Sequence, residues 1–386
     1  MTVRVNKDSF NLREKLSELE RPIGLNGSAL MRTETPQEAF SLIGARNRNL
    51  IINGDMRIAQ RATSVSGSNG GGYTVCDRWN LFDNSGSVNI AQSSTVPATT
   101  GFGNSLQFTV NSTGTLSSTS VFTPNQQIEG FNSVQLLWGT SNAKSITVSF
   151  WCRSSVTGTY GIFVRNSSAN RFYATSFDVS VANTWRYVTA TIPGDTAGTW
   201  IGATNGIGLT VGITLRAGSS RTGTTGVWSG STVYAPTTQV DWHGVAGATF
   251  YFTGFQVEEG KVATDFEHRS YGEELALCQR YYYKFRCANQ EWIYNEGNAA
   301  TNKWHQIYIG HPMRANPSVD VTDLTTGGSV SGMSGVTISS ISPQTPGDTP
   351  GRISSRVTMS GTGGSAYNLH HTDSWNSDYI ALSSEL

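Results

Sequence analysis

Charge is what this 386-residue chain has least of. Asp, Glu, Lys and Arg together make up 14%, against roughly a quarter in an average globular domain. The 27 basic and 27 acidic side chains cancel. No basic stripe gathers them, so the electrostatic footprint of a nucleic-acid binder is missing. No apolar run approaches the length of a membrane-spanning helix, and the stretch from Met1 to Ser9 lacks the pattern of a secretory leader. Cysteine is scarce: Cys76, Cys152, Cys278 and Cys287 lie far apart without metal-ligand spacing. They are expected to be buried free thiols of a protein assembled in a reducing cytoplasm, one that does not leave by ordinary secretion. There is no G-x-S-x-G, P-loop or H-E-x-x-H motif. A glycan-cleaving site needs two carboxylates about 5 to 10 Å apart, yet Glu129, Asp178, Asp195 and Asp241 are dispersed without recognisable pairing. The expectation is a non-enzyme. No repeat with a period of about 20 to 50 residues is evident, which argues against a solenoid.

What the chain does have is glycine (42 residues), serine, threonine and asparagine, the composition of many strands joined by turns. In 146–153, Ile146, Val148, Phe150 and Cys152 share one face of a strand. The stretches 185–192, 207–215 and 249–257 carry similar β-branched and aromatic runs, separated by turn-rich segments at 64–72, 194–199 and 217–225. Strands of this length and spacing predict an antiparallel jelly-roll sandwich over 49–268. Residues 1–48 differ. Leu12, Leu16 and Leu19 fall at helical spacing, and Thr35, Pro36, Glu38 and Gly44 punctuate a second short helix carrying Phe40, Leu42 and Ile43. Helices this short need a partner, so these six apolar residues are the candidates for trimerisation or for attachment to a larger assembly. From 269 a helix at 273–280 and an aromatic cluster, Tyr281, Tyr282, Tyr283 and Phe285, lead into a smaller C-terminal β-sandwich domain, 269–386. The fold class expected is mainly β: a helical anchor, a central sandwich and a smaller β domain, forming a fibrous homotrimer.

Two motifs bracket the central domain. The opening one is Asn49-Leu-Ile-Ile-Asn-Gly-Asp-Met-Arg-Ile-Ala-Gln-Arg61 with Tyr73-Thr-Val-Cys-Asp-Arg-Trp79. The closing one is Thr253-Gly-Phe-Gln-Val-Glu-Glu-Gly260 followed by 265–283. They resemble the start and close of a module found in bacteriophage tail fibres and related virion proteins. The N-terminal segment with Glu34-Thr-Pro-Gln-Glu38 is similar to the start of fibre-like proteins from phages of aquatic bacteria. The resemblance implies a jelly roll like that of carbohydrate-binding modules, a virion anchor at the N-terminus and a distal receptor contact. It assigns no catalytic residue. On physical grounds, Trp79 in a first strand and Phe255 in a last strand would pack together if those strands pair and close the sandwich.

Exposed aromatic rings stack on the apolar faces of sugars while nearby amides take the hydroxyls. Trp200, Trp228, Tyr234 and Trp242 lie in or beside turn-rich segments and are the glycan-binding candidates of the central domain; Trp79, Trp151 and Trp185 lie within strand patterns and are expected in the core. In the C-terminal domain the candidates are Trp292, Trp304, Tyr367, His370 and Trp375, with trimer packing as the competing reading. His370, His371 and Asp373 suit a transition metal shared across a three-fold axis. Asn53, Asp55 and Glu258 offer oxygen ligands for calcium where first and last strands meet. No other cofactor is expected. The function these readings imply is a virion fibre or spike subunit, assembled in the host cytoplasm, that joins tail or baseplate proteins and adheres to a host surface polysaccharide. A capsid or tail decoration or connecting protein is the alternative, and an accessory polysaccharide depolymerase is a third. Neither nucleic acid nor membrane insertion is expected.

Overall fold

The computed structural model describes residues 48–286, 293–299, 302–308, 313–315, 317–320, 337–344, 352–360 and 379–386. The expectations for Leu12, Leu16, Leu19, Phe40, Leu42 and Ile43 lie outside the described residues, as do those for Trp292, Tyr367, His370, His371, Asp373 and Trp375.

The first strands are β1 (Ser64–Ser68), β2 (Gly72–Tyr73), β3 (Asn80–Asp83), β4 (Ser87–Ser93), β5 (Ser105–Ser112), β6 (Val121–Glu129) and β7 (Ile146–Ser154). They are followed by β8 (Gly158–Arg165), β9 (Phe172–Val179), β10 (Arg186–Ile192), β11 (Ile207–Thr214), β12 (Arg216–Ala217), β13 (Trp228–Ser229) and β14 (Thr249–Glu259). One sheet has the order β1-β4-β5-β14-β7-β10 and the other β13-β9-β8-β11-β6-β3-β2, with β12 also on β6. The strands pair antiparallel throughout both sheets.

Alternation within the strands makes the two layers a sandwich. Ile146, Val148, Phe150 and Cys152 of β7 are fully buried as their period-2 spacing predicts. Rings from the two sheets meet between the layers: Phe108 with Phe122 at 5.6 Å, Phe150 with Phe177 at 5.4 Å and Tyr160 with Phe250 at 5.6 Å. Each such side chain contributes about 1.5–3 kcal/mol by leaving water.

Trp79 does pack edge-on against Phe255, with centroids 5.1 Å apart, but not by the route the sequence suggested. β14 is an interior strand between β5 and β7, while Trp79 leads into β3 of the opposite sheet. The contact therefore crosses the sandwich instead of closing an edge. The chain segment before β1 runs along β14 instead, with Leu50 N bonded to Val257 O at 2.8 Å and Phe255 N to Gly54 O at 2.9 Å. Gly54 is required there, since a Cβ would stand 2.2 Å from Phe255 O.

The opening motif is a structural keystone. The Asn53 amide bonds the backbone of Ile58 from both ends, at 2.8 and 2.9 Å, and also donates to Asp77 O. Asn53 O in turn accepts the Trp79 indole N–H. Helix α1 (Tyr271–Gln279), capped by Ser270 Oγ accepting from Glu273 N, lies against this base. Glu274 accepts Asn53 N at 2.5 Å. Ile52, Ile58, Cys278 and Tyr281 form a small core of their own. Arg280 and the Tyr281 hydroxyl both bond Glu129 at the end of β6. After α1 come β15 (Tyr282–Arg286), β16 (Ile293–Ala299), β17 (Asn302–Tyr308), β18 (Ser318–Asp320), β19 (Thr337–Gln344), β20 (Arg352–Ser360) and β21 (Tyr379–Ser383). They form a three-stranded sheet, β15-β21-β18, and a four-stranded sheet, β16-β17-β20-β19. Residues following β21 return to the sandwich. Glu385 pairs with Arg78 and Arg61, Ser384 N donates to Tyr281 O, and Arg314 bonds the carbonyls of Ser384 and Glu385. Arg78 is buried and lies 3.5 Å over the Tyr281 ring.

Candidate functional site

The parity that buries Phe150 and Cys152 turns Ser149, Trp151 and Arg153 to the outer face of the six-stranded sheet. Register then builds rows across neighbouring strands. Tyr187 of β10 stands opposite Trp151, and Thr253 of β14 stands on its other side. The Trp151 and Tyr187 rings are 5.3 Å apart, and Tyr187 is 41% exposed. In the adjacent row Tyr251 stands opposite Arg153 on one side and Gln107 on the other. Trp185, just before β10, meets the Tyr251 ring at 6.3 Å.

A bulge in β14 shapes one wall. Gly254 has φ +63°, and Phe102 occupies the space a Cβ would need, with a ring atom 2.5 Å from that position. Phe102, Phe266 and His268 then pack ring to ring at 4.9–5.4 Å. Glu258 holds the loop that carries Phe266, accepting from Thr264 N at 2.8 Å and Thr264 Oγ1 at 2.6 Å, while Gln256 Oε1 accepts Glu267 N at 2.9 Å. Together these walls enclose a cleft of about 390 Å³ over Ser149, Trp151 and Tyr187, with Asp265 and His268 on its rim. Its floor is a ring platform edged by hydroxyls, and the indole N–H groups of Trp151 and Trp185 have no hydrogen-bond partner among the described residues. A surface of this kind can stack a pyranose and leaves donors free for its hydroxyls.

The expected loop candidates fare differently. Trp242 is 0% exposed, in a 3-10 turn (Trp242–Gly244) that folds beneath Phe122 and Phe250. Tyr234 is buried against Phe163 and Phe172. Both correct the expectation of exposure, because a turn-rich sequence can fold inward when its aromatic ring has a core to enter. Trp200 and Trp228 are half-buried and joined edge to face with Trp138 at 4.7–5.6 Å. Their indole N–H groups point into the protein, Trp200 to Asp195 and Trp228 to Pro193 O. Trp304 falls on β17, of which only the backbone is described. Conversely, Trp151 and Trp185, expected in the core, are only half-buried. Tyr187, Tyr251 and Arg153 had not been singled out at all. The signal was present: naming Ile146, Val148, Phe150 and Cys152 as one face assigns Trp151 and Arg153 to the other.

Protein partners take many of the oxygens of the calcium candidates, but Asp55 Oδ1 is buried without a hydrogen-bond partner. Both ends of the Asn53 amide bond backbone, Asp55 pairs with Arg57, and Glu258 accepts from Thr264 and Gln256. No group of three or more His, Cys, Asp or Glu suited to a metal occurs among the described residues. The scattered acids are likewise engaged: Glu129 with Arg280, Asp195 with Arg171, Asp241 with Arg216, and Asp178 accepting from Thr159.

No family model matches the chain, and no curated protein matches it. Similar solved structures include the enzymatically active domain of tailspike protein 4 of bacteriophage CBA120, at 9% identity and a TM-score of 0.30. That alignment covers 55% of this chain and 21% of the tailspike chain, so the likeness spans about a fifth of its length. A family 11 carbohydrate-binding module from Clostridium thermocellum, in complex with a β-1,3-1,4-mixed-linked tetrasaccharide, aligns at 12% identity and a TM-score of 0.26, over 54% of this chain and 99% of the module. The N-terminal cellulose-binding domain of β-1,4-glucanase C from Cellulomonas fimi aligns at 12% identity and a TM-score of 0.24, over 53% and 99%. At these TM-scores the likenesses assign neither a ligand nor a place in an assembly to this chain.

Proposed function

We propose that the chain is a fibre or spike subunit of a bacteriophage particle and that its sandwich binds a host surface glycan in the cleft over Trp151 and Tyr187. The observation that carries the glycan reading is the aromatic platform itself: two rings in contact on the outer face of β7 and the edge strand β10, beside a cleft of sugar-sized volume. The resemblance of the motifs at 49–61, 73–79 and 253–283 to tail-fibre modules supports the virion assignment. In this reading the subunit is a homotrimer, residues 1–48 attach it to tail or baseplate proteins, and residues 269–386 project as a distal domain. Several weak sites on one particle raise the effective concentration of each. The test is competition for adsorption. Purified protein is added to host cells, and free phage are counted after mixing. Loss of adsorption, abolished by Trp151→Ala, is the expected result. Unchanged adsorption with folded protein would transfer the assignment to a capsid or tail decoration protein.

A further inference from the structure

Two residues along β7 from Trp151, about 6.8 Å on a strand, the same outer face carries Arg153. Its Nε donates to Asn183 O at 2.8 Å, and its guanidinium carbon lies 5.2 Å from the centre of the Tyr251 ring. One edge of the fork is thus held by a carbonyl and its plane by an aromatic ring. Its two terminal nitrogens have no hydrogen-bond partner among the described residues, and no carboxylate there pairs with it. Arg57, Arg78, Arg171, Arg216, Arg269 and Arg280 each face a carboxylate. Arg165, Arg186 and Arg221 share with Arg153 the lack of a carboxylate partner among the described residues; what sets Arg153 apart is its place on the outer face beside Trp151.

We infer that the glycan held over Trp151 carries an acidic sugar, whose carboxylate binds the free edge of the Arg153 guanidinium while a neighbouring sugar stacks on Trp151 and Tyr187. This rests on the glycan-binding reading above. A fork already fixed by Asn183 and Tyr251 loses little freedom on binding, and two parallel N–H donors match a carboxylate better than a point charge does. The opposite side of Trp151 has the other sign. The row beyond it holds Ser149 and Gln256, and Gln256 Nε2 lies 3.4 Å from Asp265 O, with Asp265 among the residues that line the cleft. A second carboxylate at that end would meet Asp265. The ligand class is therefore a heteropolysaccharide in which acidic sugars alternate with neutral ones, and the charge difference across the outer face, from Arg153 beyond the cleft to Asp265 within it, gives the bound chain a direction.

The test is affinity gel electrophoresis of the full chain on gellan, xanthan and hyaluronan, each beside its carboxyl-reduced counterpart, with neutral β-glucan and galactan. The expected result is retardation by at least one acidic polymer that disappears on carboxyl reduction. Arg153→Gln should weaken it about tenfold or more, Arg153→Lys should restore it only in part, and Arg165→Gln, on β8 of the opposite sheet, should leave it unchanged. Retardation that survives both carboxyl reduction and Arg153→Gln, but not Trp151→Ala, overturns this inference and leaves the glycan reading standing. No retardation by any polymer, acidic or neutral, overturns both.

Discussion

Two groups of tryptophans on this sandwich differ in what their indole nitrogens do. Trp138, Trp200 and Trp228 meet edge to face, and each indole N–H is spent inside the protein, on Lys144 O, Asp195 and Pro193 O. Trp151 and Trp185 are half-buried beside rings, as Trp200 and Trp228 are, yet their N–H groups have no partner among the described residues. A buried Tyr or Trp normally bonds its polar end, because leaving it unmade costs free energy. The first group is therefore part of the sandwich's own packing, and the second keeps both a ring face and a donor for something else. Partial exposure alone does not separate the two.

The comparison breaks most sharply on binding. Trp151→Ala should abolish retardation by the bound polysaccharide, a loss of about tenfold or more, with the thermal midpoint moving by only a few degrees. Trp228→Ala should do the reverse. Removing a ring wedged against Trp138, Trp200 and Tyr173 should cost about 2–3 kcal/mol of unfolding free energy, measured by denaturant titration, with binding changed less than about twofold. Equal effects of the two substitutions on binding would dissolve the distinction.

A smaller effect contrasts the cleft with the base. Burial pushes the Asp77 carboxyl up to about 6, against the lowering effect of Gln60 and Arg61. A raised carboxyl binds its proton more tightly in the folded state. Its contribution is therefore fully present below about pH 4 and is lost as pH rises through about 6. Asp77→Asn should flatten the fall in unfolding free energy across that window by about 2 kcal/mol at most, read from denaturant midpoints at pH 4.5 and 7. The smallest change expected is from Tyr187→Phe. If stacking is what the platform supplies, binding should stay within about twofold, and a larger loss would show that the Tyr187 hydroxyl is itself a ligand contact.

Much of the layered architecture was legible in local pattern. Alternation in 146–153 named the buried face of β7, and the glycine- and serine-rich stretches marked loops between strands. The same alternation locates the outer platform: an aromatic residue in a strand is a core residue only on the buried face, and Trp151 falls on the other. What local pattern could not supply was long-range pairing. That β14 is interior, that Trp79 reaches Phe255 across the layers, and that Trp242 enters the core depend on strands far apart in sequence. In the opening motif the sequence points to Asn53 and Asp55 as oxygen donors. Its Asn53 and Gly54 serve backbone geometry, Asn53 by bonding Ile58 and Gly54 by letting Phe255 approach.

The return of Ser384 and Glu385 to the base of the sandwich also bears on the order in which the protein is made. Arg78 is buried early in the chain, and the carboxylate that neutralises it is 307 positions later. A ribosome that has finished β14 has released every strand of the sandwich, yet the guanidinium at its base still lacks a counter-charge, and a buried charge without a partner is costly. The sandwich can collapse during synthesis, but its base locks only when residue 385 emerges. Chains that stop short of residue 385 lack the carboxylate that Arg78 pairs with and should keep a loose base.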